Sequence, residues 1–305
     1  MTDNSFTLLA FAKINLMLRV LGRRADSFHE ILTVFQTITL HDHLTFTALA
    51  VERLELICDA PGIPTDERNL ALRAGLALRE HFGVRRGARI ELRKRIPAGG
   101  GLGGGSSDAA IALLGLTRLW QIKTDKSTLA HIGARLGADV PFFLTGGTAL
   151  GTGTGIEITP LDDVTLKNLL ILTPGVALST AEGYKALNAP ALTKIESPVN
   201  LFVSRAGAET PEMLGDSLFR NDFEPVVFRL RPEIERARDA LLREGARPCV
   251  LSGSGSSVFG IFDSSEKRAR AARVLKDEAG WQVFSCRSLS RVEYRQALGA
   301  CAALS

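Results

Sequence analysis

Residues 97–110, PAGGGLGGGSSDAA, decide how the rest of this chain is read. Six glycines and one leucine fill positions 99–105, and two serines and an aspartate then open an alanine-rich segment. Such glycine density lets a ligand come close to the main chain. Residues 109–120, AAIALLGLTRLW, place apolar side chains on a helical face, with Ser106 and Ser107 at the expected helix start. A glycine loop feeding a helix N-terminus aims unpaired N–H groups and the positive end of the helix dipole at one point, which suits a phosphate. The competing reading is a flexible linker, but linkers rarely run unbroken into an apolar helix.

Two familiar phosphate loops fit poorly. A Walker A loop needs a lysine after the glycines, and the next lysine is Lys123. Gly99, Gly101 and Gly104 satisfy GxGxxG, but a run of six glycines satisfies many patterns. A dinucleotide fingerprint also follows a continuous apolar strand. Residues 88–96, ARIELRKRI, alternate instead and predict a strand with one wet face in an antiparallel or mixed sheet. Asp125, near the ribose-binding distance, reads more simply as a helix cap.

At 305 residues the chain can bury a large core and is expected to divide in two, at residues 1–160 and 161–305. Hydrophobic residues at 45% and charged residues at 23% describe an ordinary globular protein. A net charge of +4, from scattered basic residues, suits anionic small ligands without implying nucleic acid. The four cysteines Cys58, Cys249, Cys286 and Cys301 form no CxxC, so neither zinc nor a disulfide framework is indicated. No metal ligands are assigned, and His41, Asp42 and His43 read as a turn. Neither a signal peptide nor a membrane span is evident, and the expected location is the cytoplasm. The chain is expected to be a monomer or homodimer.

Strands are predicted over 6–20, 32–40, 44–46, 54–57, 88–96, 169–173, 248–251, 258–262 and 282–285. Helices are predicted over 69–82, 109–120, 126–136, 180–187, 198–205, 224–230, 232–244 and 266–279. Three further stretches carry candidate chemistry. Lys13 and Asn15, in AFAKINL, share one face of a strand. In isolation such a lysine is often a solvated guard at a sheet edge. His29 follows Phe28 in the stretch GRRADSFHEILTVFQ from Gly22. A histidine offers a donor and an acceptor in a fixed ring, and an aromatic neighbour can stack. Asp139 in GADVPFF is either a turn organiser or a carboxylate with a chemical task. Residues 252–257, SGSGSS, read as a hairpin turn or as a second ligand loop.

Taken together and in this order, these stretches resemble the GHMP kinases, the superfamily of galactokinase, homoserine kinase and mevalonate kinase. The loop Pro97-Ala98-Gly99-Gly100-Gly101-Leu102-Gly103-Gly104-Gly105-Ser106-Ser107 is similar to their second motif, and the resemblance makes it the ATP loop. Its triple-glycine form and the Phe28-His29 stretch resemble the branch acting on a cytidine diphosphate alcohol. That resemblance implies ATP and Mg²⁺ as donor system and transfer to the 2-hydroxyl of 4-diphosphocytidyl-2-C-methyl-D-erythritol. Lys13 and Asp139 would be catalytic, and Asn15, Phe28, His29, Tyr184, Gly253 and Ser254 would line the substrate side. Tyr184 would form a cytosine sandwich with Phe28. The chain departs from the family at Ser27, where a glycine is usual, and at Phe28, where a tyrosine is usual. The resemblance further implies an α+β, two-domain GHMP kinase fold. Its N-terminal domain would be like ribosomal protein S5 and its C-terminal domain ferredoxin-like, with the site in the cleft between them. Asn221 and Asp222 are read as helix caps. Two rivals remain open: a GHMP kinase for another small alcohol such as homoserine, and a nucleotide-binding protein without catalysis.

Overall fold

A computed structural model describes residues 5–192 and 218–304. The helix expected over 198–205 lies outside the described residues. The chain opens with two long strands, β1 (Ser5–Arg23) and β2 (His29–Leu49), paired antiparallel along nearly their whole length. β3 (Leu54–Cys58), α1 (Leu70–Phe82), β4 (Gly87–Arg93), α2 (Gly104–Leu119), α3 (Lys126–Leu136), α4 (Val140–Phe143), β5 (Thr148–Thr152) and β6 (Glu157–Pro160) follow. With β8 (Arg220–Asn221) they complete a mixed sheet ordered β3-β4-β2-β1-β8, with β5 paired to β2 and β6 to β5. The wet-faced strand expected before the glycine loop is β4, antiparallel to β2 and parallel to β3.

A second sheet is formed by β7 (Leu169–Thr173), β9 (Cys249–Leu251), β10 (Val258–Ile261) and β11 (Gln282–Cys286), in the antiparallel order β11-β7-β10-β9. This is the ferredoxin-like order expected. Its helices are α5 (Thr180–Leu187), α6 (Glu224–Leu230), α7 (Pro232–Arg243) and α8 (Ser265–Lys276). Alternation along β1 explains how the two sheets meet. Ala12, Ile14 and Leu16 join Leu32 and Val34 of β2 in one core with Leu169, Ile171, Val250 and Phe259 of the second sheet. Lys13 and Asn15 necessarily face the other way, toward α2 and α4. A second core lies under α1, α2 and α3, and a third under α6, α7 and α8. The last α-helix, α9 (Arg291–Leu298), returns to the second core, where buried Tyr294 donates its hydroxyl to the Phe143 carbonyl.

The structure corrects three sequence expectations. The helix expected from Ala109 begins five residues earlier, at Gly104, inside the glycine run. His41, Asp42 and His43 form no turn but continue β2, which also absorbs the short strand expected over 44–46. Their polarity broke the apparent pattern because the partner that neutralises Asp42 lies 52 residues away. Asp42 is fully buried and accepts from Lys94 Nζ at 2.5 Å and from the Arg95 and Ile96 amides. Lys94 also reaches Asp108 at 2.9 Å. Burial pushes the Asp108 carboxyl up against the pull of Lys94. Burial alone would lower Lys94, but Asp108 and Asp42 outweigh it and raise it. The cluster ties β2, the start of the glycine loop and α2 together. Lys94→Met would strand two buried carboxylates without a cation. It is expected to lower the unfolding free energy by about 3–5 kcal/mol, measured by urea unfolding. A loss below about 1 kcal/mol, the level of an exposed pair, would refute that weight.

Third, Asn221 and Asp222 do not cap α6, whose N-cap is Phe223 without a side-chain bond. Asp222 accepts from the Val20 amide, and Asn221 holds the loop after β9. Asp125, by contrast, caps α3 as expected.

Candidate active site

Lys13 is not a solvated edge guard. It pairs with Thr37 of β2, its amide donates to the Leu102 carbonyl, and Lys13 is 3% exposed. Register shifts with β2 flank it, between Phe11 and Lys13 and between Asn15 and Met17. Such bulges re-aim side chains. Lys13 Nζ donates to Asn15 Oδ1 at 2.6 Å and lies 3.4 Å from Asp139 Oδ2. Asn15 in turn donates to Thr33 Oγ1 at 2.7 Å, and Thr33 donates to the Met17 carbonyl. Lys13 is thus oriented by a buried chain of polar groups. Asp139 occupies the N-cap position of α4 but makes no side-chain capping bond. Its carboxylate is 30% exposed and directed at Lys13, so its geometry is not that of a turn organiser.

The glycine loop is closed from below and open above. Leu102 is buried in the inter-sheet core, and its carbonyl accepts from the Lys13 amide at 3.0 Å. Ser107 is buried and donates its hydroxyl to the Phe11 carbonyl at 2.7 Å. These two side chains face the protein. Ala98, Gly99 and Gly105 are exposed, with Pro97, Gly101, Gly103, Gly104 and Ser106 half-buried and Gly100 buried. Gly103, at φ 72°, is the N-cap of α2 and supplies no side-chain bond to the first-turn amides. A cradle of main-chain N–H groups at an uncapped N-terminus of a 16-residue helix fits a nucleotide phosphate.

The 252–257 loop is both a β9–β10 hairpin connection and the second wall of this site. The Ser257 amide donates to the Gly100 carbonyl at 3.0 Å, and Ser252 Oγ donates to the Gly101 carbonyl at 3.1 Å. A side chain on Gly255 would run into the main chain of Gly100 and Gly101, so the two glycine loops interlock through bare backbone. Gly253, at φ 62°, lies so that a Cβ there would sit 3.4 Å from Lys13 Nζ. Ser254, half-buried, lies against Gly183 of α5.

The aromatic pairing differs from the expected one. Tyr184 stacks on His29, with ring centroids 4.7 Å apart, and packs edge-on against Phe223. Phe28 is 64% exposed between β1 and β2. Burial, then the Arg23 charge, holds His29 below the usual imidazole range. Its neutral ring then presents one donor and one acceptor. Burial, with the Asp139 charge adding to it, pushes Tyr184 up to about 12. Ser27 has φ 71°, a conformation that glycine adopts freely and serine rarely. The Phe28 amide donates to Asp26 Oδ1 at 3.1 Å within it. Sequence reasoning missed Thr33, Ser252, Ser257 and the holding role of Asn221. The reading of Asn221 as a helix cap pointed near the last of these.

Comparison with known proteins agrees with this architecture. The GHMP kinases N terminal domain matches residues 69–147, and the GHMP kinases C terminal domain matches residues 203–280. The 4-diphosphocytidyl-2-C-methyl-D-erythritol kinase of Prosthecochloris aestuarii is 41% identical over 89% of this chain and 94% of its own length. The protein of that name from Moorella thermoacetica is 40% identical over 89% and 95%. A crystal structure of 4-(cytidine 5'-diphospho)-2C-methyl-D-erythritol kinase is 35% identical, with TM-score 0.76 over 93% of this chain and 99% of that one. Homoserine kinase from Cytophaga hutchinsonii, 21% identical with TM-score 0.71, covers 95% of this chain and 96% of its own and shares the fold. The chain belongs to the GHMP kinases and, within them, to the 4-diphosphocytidyl-2-C-methyl-D-erythritol kinase family.

Proposed function

We propose that this kinase transfers the γ-phosphoryl group of ATP to the 2-hydroxyl of 4-diphosphocytidyl-2-C-methyl-D-erythritol, a step toward isoprenoid precursors. The observation that carries the reading is the 3.4 Å Lys13–Asp139 pair beside two interlocked glycine loops. Asp139 takes the proton of the attacking hydroxyl, the new P–O bond forms, and the bond to the β-phosphate oxygen breaks to release ADP. Lys13 steadies the carboxylate and the charge that grows on the transferring group. Residues 97–107 form the cradle for the triphosphate, with the Leu102 and Ser107 side chains turned into the protein and the Ser107 amide spent on the Gly103 carbonyl. Mg²⁺ neutralises phosphate charge when bound. Among the described residues no three His, Cys, Asp or Glu side chains gather to hold a metal.

On the substrate side, His29 reads the cytosine edge, Phe28 and Tyr184 supply faces for the ring, and Asn15, Gly253 and Ser254 line the alcohol. The cleft lies between units at residues 1–160 and 161–305. We further read the chain as a cytoplasmic monomer or homodimer acting on a small molecule rather than on nucleic acid or membrane. Free Cys58, Cys249, Cys286 and Cys301 support a reducing compartment. Among the described residues no helix is long and apolar enough to cross a membrane.

The test is ADP release from Mg-ATP with the cytidyl alcohol, homoserine or mevalonate as acceptor. Turnover with the first alone is the expected result. Turnover with homoserine would overturn the substrate, and nucleotide binding without turnover on any acceptor would overturn catalysis. Phe28→Ala is expected to raise the KM for the cytidyl alcohol about 10-fold, the scale of a lost stacking face, with the KM for ATP unchanged. Equal effects on both substrates would remove Phe28 from the base site.

A further inference from the structure

Asn221 sits in β8, the two-residue strand that pairs parallel with β1 at Met17 and Leu18. It is 3% exposed, and its side-chain amide has no spare capacity for chemistry. Nδ2 donates both of its hydrogens, to the Leu251 carbonyl at 2.8 Å and to the Gly253 carbonyl at 2.7 Å. Oδ1 accepts from the Phe223 amide at 2.9 Å, which sets the orientation of the amide group. The two carbonyls are two residues apart, at the point where β9 ends and the 252–257 loop begins. Without Asn221 both would be buried acceptors with this partner removed.

What Asn221 grips is the wall of the catalytic cleft. The gripped loop reaches the glycine loop through Ser252 Oγ and the Ser257 amide, and it brings Gly253 against Lys13. Lys13 lies on β1, the strand to which β8 is paired. One amide therefore closes a circuit from β1 through β8 to the second sheet's hairpin, and from there to the phosphate loop and Lys13. We infer that Asn221 is a positioning residue for phosphoryl transfer: it fixes the 252–257 loop relative to β1 and so holds Gly253 against the Lys13 ammonium. It acts through Gly253 and touches no reacting atom. Asn suits the position because it offers two hydrogens and one acceptor on a short stem. Aspartate has the same shape but would turn lone pairs toward both carbonyls.

The inference rests on the proposed work of Lys13, so its test has one readout that does not depend on that reading. In Asn221→Asp, amide hydrogen exchange over residues 253–257 is expected to quicken by more than the fall in global stability, read from the unfolding midpoint of the full chain, accounts for. The kcat per folded molecule, with whichever alcohol the parent phosphorylates, is expected to fall about 30- to 100-fold, the scale of a misplaced catalytic geometry. The KM for ATP should change less than about 3-fold, since ground-state binding is retained. If the aspartate variant does not fold, Asn221→Ala, which leaves the carbonyls to water, is read in the same two ways. Unchanged loop exchange, or a kcat per folded molecule equal to the parent's, would overturn the inference. Quickened loop exchange in a chain whose Lys13→Met variant keeps full kcat would retain the clamp and refute the reading of Lys13 instead.

Discussion

Asp139→Asn is expected to lower kcat by about 10²- to 10⁴-fold, the range over which a positioned general base contributes, with the KM for ATP nearly unchanged. The expectation follows from where the carboxylate stands. It makes no capping bond to α4, so its loss should not unravel that turn. It is 30% exposed, open to an incoming hydroxyl, while Lys13 behind it is buried. The asparagine keeps the shape and can still accept a hydrogen bond from Lys13 Nζ, but it cannot hold the substrate's proton. The stability cost should stay near 1 kcal/mol because one partner of the pair is wet. The measurement is steady-state ADP release together with a thermal unfolding midpoint. A folded variant with the parent's kcat would remove Asp139 from the chemistry. A large fall in midpoint with unchanged kcat per folded molecule would make the pair a structural one.

The second large effect is expected at Gly101, through the backbone. Its φ is 74°, and a Cβ there would overlap the Ser252 carbonyl oxygen and crowd the main chain of Gly255. Main chain cannot swing aside as the end of a side chain can, so Gly101→Ala must drive the two loops apart. The left-handed backbone and the overpacking together are expected to cost about 3 kcal/mol, with nucleotide binding lost as the cradle opens. Gly99→Ala is the matched control. Gly99 has φ 70°, and nothing lies within 4 Å of the position its Cβ would take. It therefore carries the backbone cost alone, about 1 kcal/mol. Urea unfolding and ATP titration of both variants read the difference. Equal losses in the two would show that the loops do not depend on interlocking.

Much of this was legible in the chain. α3, β7, α5 and α6 occupy the residues that their periodicity indicates, since side-chain spacing along a helix or strand is a local property. The glycine run could be read as a candidate phosphate loop for the same reason: its composition describes what its own backbone can do. Family resemblance then brought Lys13, Asp139 and the 252–257 loop to one site, and their geometry is compact. Where the reading failed, the deciding partner was distant in sequence. Asp42 looked like a turn residue because Lys94 was not in view. Asn221 looked like a cap because its acceptors belong to the next sheet. The stacking of His29 on Tyr184 was likewise out of view, because the two rings are brought together from distant segments.

The sequence by itself determined most of the helices and strands, the family with its ferredoxin-like second half, the backbone freedom of the glycine run and the identity of the charged pair. These follow from periodicity, backbone freedom and recognisable motifs. Tertiary structure alone decided the bulges that turn Lys13 and Asn15 inward, the interlocking of two glycine loops and the single amide that clamps one of them. Each of these depends on hydrogen bonds and close backbone approach between segments far apart in the chain, and their geometry exists only once both sheets have packed.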